Sequence, residues 1–144
     1  MILPMDAERR DLGGKTDTVC CTFMIPSLPP SVNSLYDVLF NLRRVELKPE
    51  VRLWKTRAKE FIPPFKVEKG QRVATSYRFY GRWRTKEGAL RKVDVRNMVK
   101  AVEDSVCSKQ GWDDSQVWEG CVEKVECDQE KVQVEIREYR EPRE

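Results

Sequence analysis

Hydrophobic and polar positions alternate along this chain in blocks whose period changes, and those changes mark its elements. From about Thr18 to Ile25, Val19, Cys21, Phe23 and Ile25 alternate with Cys20, Thr22 and Met24, which predicts a strand buried on both faces. Pro26, Pro29 and Pro30 then remove backbone donors and fix extended or turn shapes, so a rigid loop reaching Ser34 follows. Pro49 suits the first turn of a helix, and Val51, Trp54, Ala58 and Phe61 recur at helical spacing until Pro63-Pro64 ends the run. Between Gln71 and Arg84 the period falls to two. Val73, Thr75, Tyr77, Phe79 and Trp83 face one way, and Arg78, Tyr80, Arg82 and Arg84 form a cationic, partly aromatic strip facing the other.

Residues 95–107 return to the helical period. Val95, Met98, Val99, Val102 and Val106 share one side, and Arg96, Asn97, Lys100, Glu103 and Asp104 point toward the other. Asp94 stands at the N-cap position of this helix. After a tight Gly111-Trp112-Asp113-Asp114 connection, strand-like segments run near Gln116–Cys127 and Lys131–Tyr139, with a hairpin turn expected at Asp128-Gln129-Glu130. The predicted order is β-α-β-α-β-β: a single α/β (α+β) domain with a small mixed sheet and two main helices over residues 17–140. A polar stretch at 1–16, containing Gly13-Gly14 and no period, is expected to be a flexible extension, and 141–144 a short tail. There is no internal repeat.

Composition narrows the class. At 144 residues there is room for one core, and 40% hydrophobic with 35% charged residues is a globular balance rather than a disordered one. No apolar run approaches the roughly 20 residues that span a bilayer, and the acidic and basic residues among the first fifteen leave no secretory core. The expectation is a soluble protein of the cytoplasm or a nucleoid-like compartment, with no membrane partner. Five cysteines, an odd count without Cys-x-x-Cys spacing, argue against a disulfide framework and a zinc ribbon and for reduced, mostly buried thiols. The absence of histidine is the sharpest exclusion: it removes the usual general base, the Ser-His and Cys-His pairs, and most transition-metal sites. Catalysis here must run on carboxylates, lysine or a hard metal ion.

The net charge of +3 is unevenly spread. From Arg78 to Lys100 eight basic residues face two acidic ones, whereas from Asp113 to Glu144 five basic residues face eleven acidic ones. A polyanion-facing surface in the middle of the chain is one reading, and scattered solubilising charge is the other.

Two acidic points bracket the second helix: Asp94 at its start and Asp113-Asp114 just past its end. A helix of that length is roughly 20 Å long, so the carboxylates meet only if the chain beyond Gly111 folds back along it. Taken alone, Asp94 is equally a simple cap, and Asp113-Asp114 equally turn residues. Several motifs in order change the weighting. The run Asp94-Val95-Arg96-Asn97-Met98-Val99-Lys100, the acidic pair Glu103-Asp104, and Gly111-Trp112-Asp113-Asp114-Ser115-Gln116-Val117 resemble the signature of the RusA family of Holliday junction resolvases. Pro29-Pro30-Ser31-Val32-Asn33 resembles that family's proline-rich segment, and the likeness spans about residues 20–139.

The resemblance implies a crossover junction endodeoxyribonuclease acting on branched DNA as a homodimer, without an organic cofactor. It implies Asp94 and Asp114 as Mg²⁺ ligands, with Asp113 beside them and Mn²⁺ as a substitute, and Lys100 as a positive charge near the phosphate. Arg78, Arg82, Arg84, Arg91, Lys92, Arg96 and Asn97 are the expected DNA contacts. One position departs from the pattern: where the family commonly has a second aspartate, this chain has Arg96, which cannot ligate magnesium. Either Asp113, Glu103 or Asp104 supplies the missing ligand, or the protein binds junctions without cutting them efficiently. A protein-interaction domain, with Asp94 only a cap and the acidic C-terminal strands as its surface, is the remaining alternative.

Overall fold

The structure, a computed structural model, describes residues 8–10, 16–31, 36–39, 44–93 and 95–142, with side chains from residue 21 onward. The predicted order of two helices among strands is present, with short strands added. These are β1 (Glu8–Arg10), β2 (Thr16–Ile25), β3 (Tyr36–Leu39), β4 (Arg44–Leu47), α1 (Pro49–Ala58), β5 (Val73–Gly81), α2 (Arg96–Gln110), β6 (Val117–Glu126) and β7 (Lys131–Glu138). Among the described residues no helix is long and apolar enough to cross a membrane.

One five-stranded mixed sheet runs in the order β1-β2-β7-β5-β6, and β3 and β4 form a separate antiparallel pair. Only β5 and β6 are parallel, joined by the α2 crossover that a parallel pair requires. Register aligns apolar rows across the sheet. Phe23 of β2 pairs with Val134 of β7, which pairs with Tyr77 of β5. Because side chains alternate along each strand, Cys21, Phe23 and Ile25 share a face with Ile136, Val134 and Val132 and with Val73, Tyr77 and Phe79. All of these are buried. Val51, Trp54 and Ala58 of α1, with Met98, Ala101, Val102 and Val106 of α2, complete the same core.

Helix α1 starts with Pro at its first position and Glu50 in its first turn, both suited to an N-terminus. It tightens into a 3-10 turn over Lys59–Phe61. That tightening rotates Phe61 out of the helical register, leaving it exposed while the neighbouring Ile62 fills the core position.

Two expectations need correction. The hairpin at Asp128-Gln129-Glu130 is absent: β7 leaves its sequence neighbour β6, inserts between β2 and β5, and runs antiparallel to both. Burial explains the exchange. Val132, Val134 and Ile136 are fully buried and demand a central strand, whereas β6 carries exposed Glu119, Glu123 and Lys124 and suits an edge. Residues 8–10, inside the segment expected to be a flexible extension, pair with β2 as strand β1, Arg10 opposite Thr16. Main-chain pairing on the β2 edge needs no side-chain period, so the sequence pattern does not announce it. Secondly, Cys121 is exposed and Cys127 half-buried, so only part of the thiol set is interior.

Candidate active site

Helix α2 sets out the site. Its buried side faces the sheet, and Arg96, Lys100, Glu103 and Cys107 recur at intervals of three and four, so they lie along one stripe of its flank. The N-cap position falls on Val95, which has helical dihedrals and no capping side chain. Asp94, Val32 and Asn33 lie outside the described residues.

The far end of α2 closes on Gly111, whose φ of 76° lies in the left-handed region that side chains resist. The N–H groups of Gly111 and Trp112 both donate to the Cys107 carbonyl, at 2.8 and 3.2 Å. Trp112 is buried there with its indole N–H on Gln110 Oε1 at 2.9 Å. A Cβ on residue 111 meets nothing within 4 Å, so Gly111→Ala isolates backbone strain. It is expected to lower stability by about 1 to 2 kcal/mol, read from the urea midpoint.

The chain then turns back. Asp113 caps a 3-10 turn at Asp114–Gln116 through a reciprocal capping box. Its carboxylate accepts from the Ser115 N–H at 2.9 Å, and its own N–H donates to Gln116 Oε1 at 3.2 Å. The Gln116 amide donates in turn to the carbonyls of Glu68 and Gln71, at 2.8 and 3.0 Å, clamping this turn to the one before β5. Val117 then enters β6 opposite Val73. The return runs along α2, and the Asp114 charge is felt at Lys100, Glu103 and Cys107.

The electrostatics assign distinct parts to these groups. Burial raises Glu103 above the ordinary glutamate value, and the Asp114 and Asp104 charges raise it further against the pull of Lys100. Lys100 is held above its usual range mainly by Asp104, whose Oδ1 lies 3.4 Å from its Nζ. It is therefore a fixed positive charge and no general base. Asp104 also faces Lys55 of α1 at 3.7 Å, so two lysines share it. The Ser115 main-chain N–H on its carboxylate holds Asp113 below the carboxylate range. Burial, reinforced by Glu103 and Asp114, pushes the Cys107 thiol up to about 12, which leaves it unreactive.

A titration prediction follows from Glu103. Its raised folded value favours the fold fully below the ordinary glutamate pKa, and that contribution is lost as pH rises through the raised value. Ionised Glu103 then opposes folding at neutral pH. Glu103→Gln is expected to gain stability over the wild type at pH 7 and to gain less at pH 4, measured by urea unfolding at both.

Among the described residues no three carboxylates converge as a complete metal site. The all-oxygen donors present, Asp114 with Glu103 and Asp113 near it, are of the class that Mg²⁺ takes, and the repulsion felt by Glu103 is of the kind a divalent cation relieves.

The expected DNA-contacting residues divide into groups. Arg78 lies on the helix-free face of the sheet, paired with Glu123 at 3.1 Å. Arg82 pairs with Asp128 at 2.6 Å, and the Arg91 guanidinium donates to the Arg82 carbonyl. Arg84 and Lys92 are exposed on the same connection. That connection leaves β5 at Gly81, whereas the Asp113 turn sits beside Val73 at its other end. Along the strand, Gly81 and the Arg82 that follows it are roughly 26 Å from Val73. Arg96 and Asn97 open α2, and Arg96 begins the stripe that continues to Lys100 and Glu103. The structure also brings two cations to the Asp113 turn that the sequence pattern did not single out: Lys69 and Arg72 line a cleft with Asp113 and Trp118.

Comparison with known proteins supplies one finding and one absence. No curated protein matches the chain. Residues 41–137, from before β4 through nearly all of β7, match the family described as Endodeoxyribonuclease RusA. That span holds both helices, the Asp113–Gln116 turn and three of the strands they pack on, so the chain belongs to the RusA endodeoxyribonuclease family.

Proposed function

We propose that this protein is a magnesium-dependent endonuclease that resolves four-way DNA junctions by paired symmetric cuts. The observation that carries the reading is the turn after Gly111, which brings the Asp114–Gln116 segment back into contact with α2 in a chain of this family. Asp94 and Asp114 are the proposed metal ligands, with Mn²⁺ as a substitute ion and no organic cofactor.

Glu103 is the residue proposed to stand in for the family's second aspartate. Asp104 is shared by two lysines and one Asp113 oxygen caps its turn. Glu103 has Asp114 as its strongest charge neighbour. When bound, Mg²⁺ supplies Lewis acidity toward the scissile phosphate and the attacking water. The chain's own residues orient and steady the reactants. Lys100, fixed in its protonated form, holds a non-bridging phosphate oxygen, and Arg96 presents a planar fork to a neighbouring phosphate. Asn97 orients groups at the helix start, and Asp113 keeps the turn in place.

Two copies of one site are the economical way to make two symmetric cuts, so the acting species is a homodimer. Arg78, Arg82, Arg84, Arg91 and Lys92 add salt-dependent, sequence-independent affinity. An intracellular, reducing location suits the free thiols of Cys107, Cys121 and Cys127.

A second reading, junction binding without efficient cutting, is favoured by Arg96, whose guanidinium occupies a position where the family commonly has a carboxylate. Gel-shift titration of a synthetic four-way junction against a linear duplex of the same sequence, without divalent metal, tests what the two readings share. Preference for the junction is expected; equal binding, or none, would remove both.

A further inference from the structure

The turn that carries Asp113 and Asp114 also lines a cleft of about 390 Å³ with Lys69, Arg72 and Trp118, inside the roughly 300 to 1,000 Å³ usual for small-molecule sites. Trp118 stands at an irregularity in β6. Val117 pairs with Val73 and Glu119 with the next residue, Ala74, so Trp118 has no partner on β5. A bulge of this kind re-aims a side chain, and here an indole at the edge of the sheet is left 59% exposed.

The indole is held from behind. The Arg72 guanidinium lies 4.7 Å from its ring centre and 5.1 Å from that of Tyr139, and the two rings stand 5.7 Å apart. Arg72 is itself fixed by an ion pair with Glu141 and by the Tyr139 N–H, which donates to the Arg72 carbonyl at 3.1 Å. The result is a braced, cation-backed aromatic platform beside the candidate catalytic turn. No part of the proposed mechanism uses it.

We propose that Trp118 stacks an unpaired nucleobase of the bound DNA, with Lys69 meeting a phosphate next to it. The proposal rests on reading the Asp113–Gln116 turn as a nuclease site. The occupant follows from chemistry: an indole face accepts any base, the Lys69 charge matches a phosphodiester, and a braced ring loses little freedom on stacking. A branched junction, unlike a duplex, offers bases that leave the stack cheaply at its crossover. The platform therefore holds the strand in register beside Asp114.

The test uses the full chain carrying Asp114→Asn and a four-way junction with 5-iodouracil placed near the crossover. Irradiation is expected to cross-link the base to Trp118, located by mass spectrometry of the digested protein. In fluorescence anisotropy Trp118→Ala is expected to weaken junction binding about tenfold or more, and Trp118→Phe to retain most of it. If Trp118→Ala binds like its parent and no cross-link forms at residue 118, the platform is wrong and the nuclease reading stands. A change of oligomeric state in Trp118→Ala, seen by sedimentation, would overturn it in favour of a contact between copies. If the parent itself binds no junction, the nuclease reading fails and the platform falls with it.

Discussion

Asp114→Asn is expected to reduce metal-dependent cleavage of a four-way junction by at least about 100-fold while leaving junction binding within a few-fold of the wild type. The substitution keeps the shape of the side chain and removes its charge. Its fold should survive, because the capping box of the turn is built from Asp113 and Gln116. Removing the charge also relieves Glu103, which Asp114 pushes toward its protonated form. Thermal stability at neutral pH should therefore hold steady or rise as activity disappears. Loss of both together would mean that Asp114 serves the fold, and cleavage at the wild-type rate would take it out of the metal site.

The largest stability loss is expected from Phe79→Ala. Phe79 is fully buried on the sheet face that the helices cover, in contact with Tyr77 at a ring separation of 6.5 Å. Its carbonyl accepts the Trp83 indole N–H at 3.0 Å where the chain leaves β5. Truncating a phenylalanine in such a place costs about 3 to 5 kcal/mol, from lost burial and from the cavity left behind. Against the roughly 5 to 15 kcal/mol of a typical domain, that leaves a marginal protein. Chemical denaturation followed by tryptophan fluorescence reads the loss. A loss below about 1 kcal/mol would mean that the helix layer closes over the gap and that β5 does not anchor the core.

The elements with a strong internal period were legible in the sequence. β5 alternates cleanly because one face meets the helices, and α2 repeats at helical spacing because it lies on a sheet; both fall within a few residues of expectation. Strand partnership was not legible. The short Asp128-Gln129-Glu130 link favours a hairpin locally, and only the global demand to bury Val132, Val134 and Ile136 sends β7 across β5 instead. Phe61 shows the same limit on a smaller scale, since a single 3-10 turn moved it from the core to the surface.

At the site, local chemistry announced the turn, with Gly111 to end the helix and Asp113 and Gln116 spaced for a capping box. Its path back along α2 depends on the Gln116 amide reaching the carbonyls of Glu68 and Gln71, more than forty residues upstream. For that reason Lys69 and Arg72 had no sequence signal as neighbours of the aspartates. The same distance separates what the charge pattern grouped together, because β5 holds Arg82 and Arg84 at the far end from Asp113. Asp94 lies outside the described residues, and its proposed partnership with Asp114 comes from the motif resemblance alone.

The measurement that bears most directly on the account is incubation of the wild-type protein with a labelled four-way junction, with Mg²⁺ and with a chelator, and sequencing-gel analysis of each strand. Paired nicks at symmetric positions on opposing strands, present with the ion and absent without it, are the predicted result. Tight junction binding with no products in Mg²⁺ or Mn²⁺ would contradict it and leave a binding protein with Arg96 in place of a metal ligand.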